Sequence, residues 1–369
     1  MRVGVNLTWL RPGVVGGSEV YLTRLLRGML ELSPDDIELV LFVLPDFARV
    51  YPDLVAVFET HVAPVSGSRR PLRVAVESTW LPWRAKRAHL DMLHHAGGTV
   101  PVVRLTPGIV TIHDVQYLDL PDNFSRVKLR YLQLMVPLAV RAGKLVMTPS
   151  DYSRDRVVQA FKVDPRRTYV VHHGIEALPR AGGRPDFGGD FIFFPAMTHP
   201  HKNHGLLLNV LDQIEDIHLV LTGSKGDADS GLTEEISRKS LGSRVHHLGH
   251  VSSETLGALY SDALALVFPS HYEGFGAPPI EAMLAGCPVV ASYSTALPEV
   301  VGSGGLLLDP DNPVEWVHAI QRLRGESVYR SELIAAGYAQ AERFSSIEAA
   351  RSQLLAYRRA VSLLDESST

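Results

Sequence analysis

The sequence predicts an α/β protein made of two doubly wound parallel sheets. Three observations carry this. Strand-length apolar runs alternate with segments of helical period along most of the chain, as in βα units around a parallel sheet. A Gly-, Pro- and Arg-rich stretch, GIEALPRAGGRPDFGGD at 174–190, interrupts the alternation, which then restarts. The length of 369 residues suits roughly two domains of about 150 residues each.

The first half opens with a strand at 2–7, then the loop TWLRPGVVGGSE, then a helix at 19–32 with leucines at 22, 25, 26 and 30. Strands follow at 37–44 (IELVLFVL), 61–65, 92–95, 109–113, 145–148 and 169–172, with helices at 72–90, 126–142 and 151–161. These make a domain of residues 1–173, and residues 174–189 form a linker. The second domain, 190–345, has strands at 191–196, 218–223, 245–249, 265–270 and 288–292. Its helices fall at 203–214, near 233–240, at 253–261 and at 278–285, and a further helix spans 346–363. Open α/β sheets bind ligands beyond the carboxyl ends of their strands, so the site is expected in a cleft between two such domains.

Bulk composition narrows the function. With 36 basic and 40 acidic residues the net charge is −4, which argues against nucleic acid as a partner of the whole protein. The single cysteine, Cys287, forms no intramolecular disulfide, fits a reducing compartment and reads as core packing. The N-terminus MRVGVNL reads as a strand rather than a signal peptide, and no run reaches the ~20 apolar residues of a membrane span. A cytoplasmic protein, peripheral at most to the inner membrane face, is expected.

Chemistry is sought in loops that follow strands. Gly16 and Gly17, with Ser18 and Glu19, open the first helix, where backbone amides and the helix N-terminus suit a phosphate. A plain tight turn with Ser18 as N-cap fits equally well. His113 and Asp114 end the strand IVTIHD, from which a histidine can reach a substrate hydroxyl. Lys202, in HPHKNH, can neutralise a diphosphate leaving group. His199, His201 and His204 lack the helical spacing and the acidic or thiolate partner of a zinc site, so no metal is expected. The pairs His94–His95, His172–His173 and His246–His247 are read as following strands and as poor chelators.

The stretch HYEGFGAPPIEAMLAGCPVVAS holds two carboxylates. Glu273 sits in a glycine loop whose Gly274, Phe275 and Gly276 amides can meet a ligand. Pro278 and Pro279 start a helix that carries Glu281 in its first turns. The two carboxylates suit different guests, a sugar for Glu273 and a ribose for Glu281.

This E-x7-E stretch resembles the donor-site signature of retaining nucleotide-sugar glycosyltransferases of family 4, which have the GT-B fold of two Rossmann-like domains facing each other across a cleft. VGGSE, IHD, TPSDYSRDRV, VVHHGI and PHKNH are similar to that family and stand in its order, so the resemblance covers nearly the whole chain. It implies that Gly16 and Gly17 pack against the donor diphosphate and that Lys202 binds it. It implies that His113 contacts the donor sugar, Glu273 its hydroxyls and Glu281 the ribose, with the Gly274–Gly276 amides assisting. It further implies no cofactor and no metal, retention of configuration, an acceptor-binding first domain with Asp114 on the acceptor side, and a helix 346–369 crossing back to that domain. The donor nucleobase is expected at the loops after the strands ending at Gly223 and Gly249. The family often has an arginine where this chain has Ala196, so the second phosphate-binding cation must come from elsewhere. The form PAMTHPHKNH resembles a mannosyltransferase-like branch, which favours GDP-mannose.

Residues 69–90 gather Arg69, Arg70, Arg73, Arg84, Lys86 and Arg87 around Trp80 and Trp83, with Glu77 the one acid. That composition suits an anionic membrane surface or a phosphate-bearing lipid-linked acceptor. A solvated helix with its tryptophans in the core is the alternative. A hexosyltransferase acting on a glycan, lipid-linked or small-molecule acceptor is the leading reading. A non-hydrolysing sugar-nucleotide epimerase on a similar fold and a non-catalytic nucleotide-sugar binding protein remain its rivals.

Overall fold

The computed structural model describes residues 1–14, 16–180 and 183–366. It divides into two compact units, Met1–Gly174 with Ser346–Thr369, and Ile175–Ser345. In the first unit the strands are β1 (Arg2–Leu7), β2 (Glu38–Val43), β3 (Glu59–Val62), β4 (Met92–His95), β5 (Gly108–Thr111), β6 (Gly143–Thr148) and β7 (Thr168–Val170). They form one sheet in the order β3-β2-β1-β4-β5-β6-β7, and every pairing is parallel.

The alternation of side chains along each strand decides what packs on each face. Val3, Val5, Leu39, Leu41, Ile109 and Leu145 face the helices Gly17–Leu32 and Ser346–Glu366. Their neighbours point the other way. Val110 and Val146 meet Val136, Ala139 and Val140 of the helix Arg126–Ala142, and Val40, Phe42 and Leu93 meet Leu81 and Ala85 of the helix Arg70–Arg87. The C-terminal helix belongs to this unit because Gly28 lets it in. A Cβ at Gly28 would lie 2.7 Å from the Ser346 carbonyl oxygen. Tyr357 of that helix hydrogen-bonds His94 Nδ1 at 2.9 Å, and His94 Nε2 pairs with Thr111 Oγ1 at 2.8 Å.

The second unit repeats the plan with β8 (Asp190–Pro195), β9 (Ile217–Thr222), β10 (Val245–His247), β11 (Ala265–Phe268), β12 (Val289–Ser292) and β13 (Leu306–Leu308), ordered β10-β9-β8-β11-β12-β13 and again parallel. The Gly- and Pro-rich stretch read as a linker lies along this unit. Ile175 N–H donates to the Phe344 carbonyl at 2.7 Å, and Phe187 is buried edge-on against Phe191. Its scattered apolar residues anchor a segment whose average composition reads as loop.

Several elements differ from the sequence reading. β3 occupies 59–62 rather than 61–65, and β5 stops at Thr111, so His113 stands in the loop beyond it. His94–His95 and His246–His247 lie within β4 and β10 rather than after them. The short edge strand β13 and the helices Pro45–Val50, Pro52–Val57, Pro313–Gly325 and Ser327–Ala341 have no counterpart in that reading. The three-residue strand and the two six-residue helices carry too little periodicity to stand out, whereas the helices Pro313–Gly325 and Ser327–Ala341 are long enough to show one. Cys287 is buried, and burial pushes its thiol up to about 12, as for an inert core residue.

Burial pushes His94 and His95 down to about 3, so both are neutral in the folded protein at neutral pH. The unfolded chain binds these protons near pH 6.5, so stability is complete above that value and falls as pH drops. Each histidine costs roughly 2 kcal/mol at pH 5 by proton linkage. Denaturant titrations between pH 7.5 and 5 are expected to show this loss, with a slope reduced by about one proton in His94→Gln. An unchanged slope would show that His94 does not titrate as a buried neutral group.

Candidate active site

In the second unit the loops after β8, β9, β10 and β11 leave the same edge of the sheet. β8 is followed by Ala196–His199 and by a turn, Pro200–Lys202, that ends at Asn203 in a left-handed conformation (φ 56°). The Asn203 amide group donates to the Pro310 carbonyl at 2.8 Å, which fixes this turn. Lys202 Nζ is thereby held 2.6 Å from Glu273 Oε1 and 5.5 Å from the Phe268 ring centroid. The two charged side chains are only 17% and 13% exposed. A lysine and a glutamate expected to take different guests are thus paired with each other.

Glu273 is placed by the loop around it. Its backbone N–H donates to Thr295 Oγ1 at 2.9 Å, and Thr295 itself adopts a positive φ of 49°. His271 N–H donates to the His201 carbonyl at 2.8 Å, which ties the β11 loop to the β8 loop. Gly276 turns the chain into the helix Ala277–Leu284 at φ 97°, and an added Cβ would stand 2.8 Å from Leu297 Cδ2. Only glycine satisfies both conditions. Phe275 packs its ring against Phe344 with centroids 5.6 Å apart, so only its backbone is offered to a ligand. Along the helix, Glu281 Oε2 accepts from the hydroxyl of the fully buried Tyr260 at 3.0 Å. The sequence reading gave no role to Thr295 or Tyr260, because neither belongs to the contiguous motif.

Gly223 follows β9 with φ 111°, and a Cβ there would meet the Ala196 carbonyl carbon at 3.0 Å. The loops after β8 and β9 are therefore in close contact, and Ala196 is buried beneath them. Gly223 N–H also donates to the Gly249 carbonyl at 2.9 Å. A cavity of about 520 Å³ opens at the loops after β9 and β10, where Gly223, Lys225, Asp229, Leu232, His247 and His250 form part of its wall. The three histidines around Lys202 do not converge on a common point. His199 and His201 stack with parallel rings 5.8 Å apart, while His204 turns onto Phe194. Among the described residues no group of three or more His, Cys, Asp or Glu is placed to hold a metal ion.

The first unit supplies a second set. Gly16 takes φ 64° before the helix Gly17–Leu32, and among the described residues a Cβ at Gly16 or Gly17 would meet none within 4 Å. Glu19 holds the turn: buried, it accepts from Gly13 N–H at 2.7 Å and from the Tyr51 hydroxyl at 2.5 Å. Its carboxylate thus shapes the glycine loop, where the sequence suggested only an acid early in a helix. His113 donates from Nε2 to the Ala96 carbonyl at 2.9 Å. Burial lowers its pKa, opposed by that hydrogen bond and by the charge of Asp114, so the ring is neutral with Nδ1 as an acceptor. Tyr21 and His173 stack at 4.2 Å, and both approach the His113 ring edge-on. Asp114 is exposed and accepts from Gln116 N–H at 2.9 Å. With His113 and Tyr117 it lines a cavity of about 150 Å³.

Because Lys202 and Glu273 are both largely buried, removing one leaves the other charge without compensation. Glu273→Ala should lower unfolding free energy by roughly 3 kcal/mol, and Lys202→Met combined with Glu273→Leu should recover most of it. Denaturant unfolding of the single and double variants measures this. A double variant no more stable than either single would show that the pair contributes no coupled stability.

Residues 15–177 match Glycosyltransferase Family 4, and residues 182–340 match Glycosyl transferases group 1. O-antigen chain mannosyltransferase B of Escherichia coli is 32% identical over 297 residues, covering 75% of this chain and 77% of its own length. O-antigen chain mannosyltransferase RfbU of Salmonella typhimurium is 29% identical, with 69% and 71% covered. The solved structure of HepE from Anabaena with UDP and glucose superposes with a TM-score of 0.73 at 21% identity, covering 97% of this chain and 99% of that one. Sucrose-phosphate synthase from Thermosynechococcus elongatus gives 0.77 at 19% identity, covering 97% and 98%. With the two parallel sheets, the glycine loops and the E-x7-E helix in place, this chain belongs to the family 4 glycosyltransferases and has the GT-B fold.

Proposed function

We propose that this glycosyltransferase moves a hexose, with mannose favoured, from a nucleoside diphosphate sugar to a glycan or lipid-linked acceptor, with retention of configuration and without a metal. The observation that carries the reading is that Glu273, on the same loop-and-helix element as Glu281, is paired with Lys202 from the loop after the neighbouring strand β8. The ammonium is a ready counter-charge for a diphosphate, and the carboxylate it releases accepts sugar hydroxyls. Glu281, steadied by Tyr260, takes the two ribose hydroxyls. Neutral His113 accepts a sugar hydroxyl at Nδ1. The bond from the sugar's anomeric carbon to the phosphate oxygen breaks as the acceptor oxygen bonds that carbon on the same face, and the leaving phosphate oxygen takes the acceptor proton, so this route uses neither a protein nucleophile nor a protein base. The E. coli and Salmonella relatives are named as mannosyltransferases, which supports mannose and, by the usual pairing of that sugar, GDP as its carrier.

The reading is tested with GDP-mannose and with UDP-, ADP- and TDP-sugars, each added in metal-free buffer containing a chelator while melting is followed. A ligand at about 100 times its dissociation constant adds roughly 2.7 kcal/mol, a visible rise in melting temperature. One nucleotide family is expected to give that rise, and Glu281→Ala to abolish it. No rise with any of them would overturn the donor site. The anomeric configuration of the transferred sugar, read by NMR, tests retention.

We also propose that the helix Arg70–Arg87 touches an anionic membrane face, which places the acceptor at the inner surface of the membrane. Its one acid is turned inward: Glu77 accepts from the Asn6 amide at 2.7 Å, and burial raises its pKa. Trp80 packs edge-on against Phe42, whereas Trp83 is 57% exposed beside Lys86. No helix among the described residues is long and apolar enough to cross a membrane. Co-sedimentation with phosphatidylglycerol vesicles, weakened several-fold in Trp83→Ala and absent with phosphatidylcholine, is expected. Equal recovery with both lipids would exclude this contact.

A further inference from the structure

We infer that Asp229 selects a guanine base. The inference rests on the reading of the second unit as a nucleotide-sugar site and adds the residue that discriminates among nucleobases. The cavity at the loops after β9 and β10 is bounded by apolar side chains, Leu221, Leu232, Ile236 and Leu248, suited to the plane of a heterocycle. Its wall contains one carboxylate, Asp229. That side chain is 18% exposed and stands between two cationic or polar neighbours. Lys225 Nζ lies 3.1 Å from one oxygen, and His247 Nδ1 lies 3.8 Å from the other. His247 is itself fixed, because its Nε2 donates to the Gly223 carbonyl at 3.2 Å. Lys225 is 76% exposed and free to swing without disturbing the fold.

Guanine, uracil, thymine and adenine differ in what they offer such a carboxylate. Guanine presents N1–H and the exocyclic N2–H side by side, two donors that match two carboxylate oxygens. It also has an O6 acceptor on the adjoining edge, which suits the Lys225 ammonium. Uracil and thymine present a single N3–H between two carbonyl oxygens, which a carboxylate repels. Adenine offers an amino group next to the N1 lone pair, which is repelled in the same way. A carboxylate in this wall therefore favours guanine and opposes the others. A bland alternative is that Lys225 and Asp229 form only an i, i+4 ion pair at a helix start, worth little and indifferent to the base.

Titration calorimetry with GDP, IDP, ADP and UDP on the full chain separates these readings. IDP is guanine's match without the exocyclic amine. GDP is expected to bind tightest, IDP roughly tenfold more weakly, and ADP and UDP more weakly still. Asp229→Asn should weaken GDP roughly 10- to 100-fold while leaving UDP within about threefold, and Asp229→Ala should do the same. Retained melting temperature in both variants checks that they fold. If UDP or ADP binds best, or if GDP keeps its advantage in Asp229→Asn, the assignment to Asp229 is wrong while the donor site stands, provided that binding is still lost in Glu281→Ala. If no diphosphate binds the unsubstituted protein, the donor site and the base assignment fall together.

Discussion

Parallel pairing is the constraint on which the rest of the second unit depends. When all strands run the same way, every loop that follows a strand leaves by one edge, with neighbouring strands about 4.8 Å apart. The order β10-β9-β8-β11 therefore brings together residues from positions 202, 223, 249 and 273. Backbone bonds from His271 to His201 and from Gly223 to Gly249 then join these loops to one another. Their geometry is fixed by the sheet's own hydrogen-bonding groups, and side chains need only be of the right kind to act on a ligand.

Electrostatics in this site depends on burial. Lys202 and Glu273 satisfy each other at 2.6 Å in a largely water-excluded setting. Neither charge has to be created when an anionic ligand arrives. Under the proposed reading, the lysine would exchange one anion for another and the glutamate would become available to hydroxyl donors. In the first unit burial acts in the opposite sense. It removes charge from His113, His94 and His95, so that the ring at position 113 is an acceptor rather than a cation. The same physical term thus places a charged pair in one unit and a neutral imidazole in the other.

The candidate site residues could be named from the sequence because they stand in short contiguous motifs: VGGSE, IHD, PHKNH and EGFGAPPIE. Glycine positions carried particular weight. Gly223 and Gly276 adopt conformations or approaches that a side chain would block. What escaped notice lies outside those motifs. Thr295 holds the Glu273 amide from 22 residues away, Tyr260 meets Glu281 from 21 away, and Tyr51 reaches Glu19 from 32 away. No local pattern marks such a threonine or tyrosine. The missed strand β13 and the shifted bounds of β3 and β10 have a similar origin, since these strands are only three or four residues long and offer little alternation to read.

The sequence by itself determined the class of fold, the βα alternation and its restart, the glycine positions, and the family through its E-x7-E element. These depend on periodicity and on backbone conformations that few residues tolerate, which are local properties. Only the tertiary structure decided that Lys202 and Glu273 are partners, that Glu19 closes the glycine loop, that Glu77 turns inward while Trp83 turns out, and that Asp229 is the one carboxylate in its cavity wall. Each of these follows from which side chains the packed sheet brings within a few ångströms of one another, and the distance along the chain does not encode that.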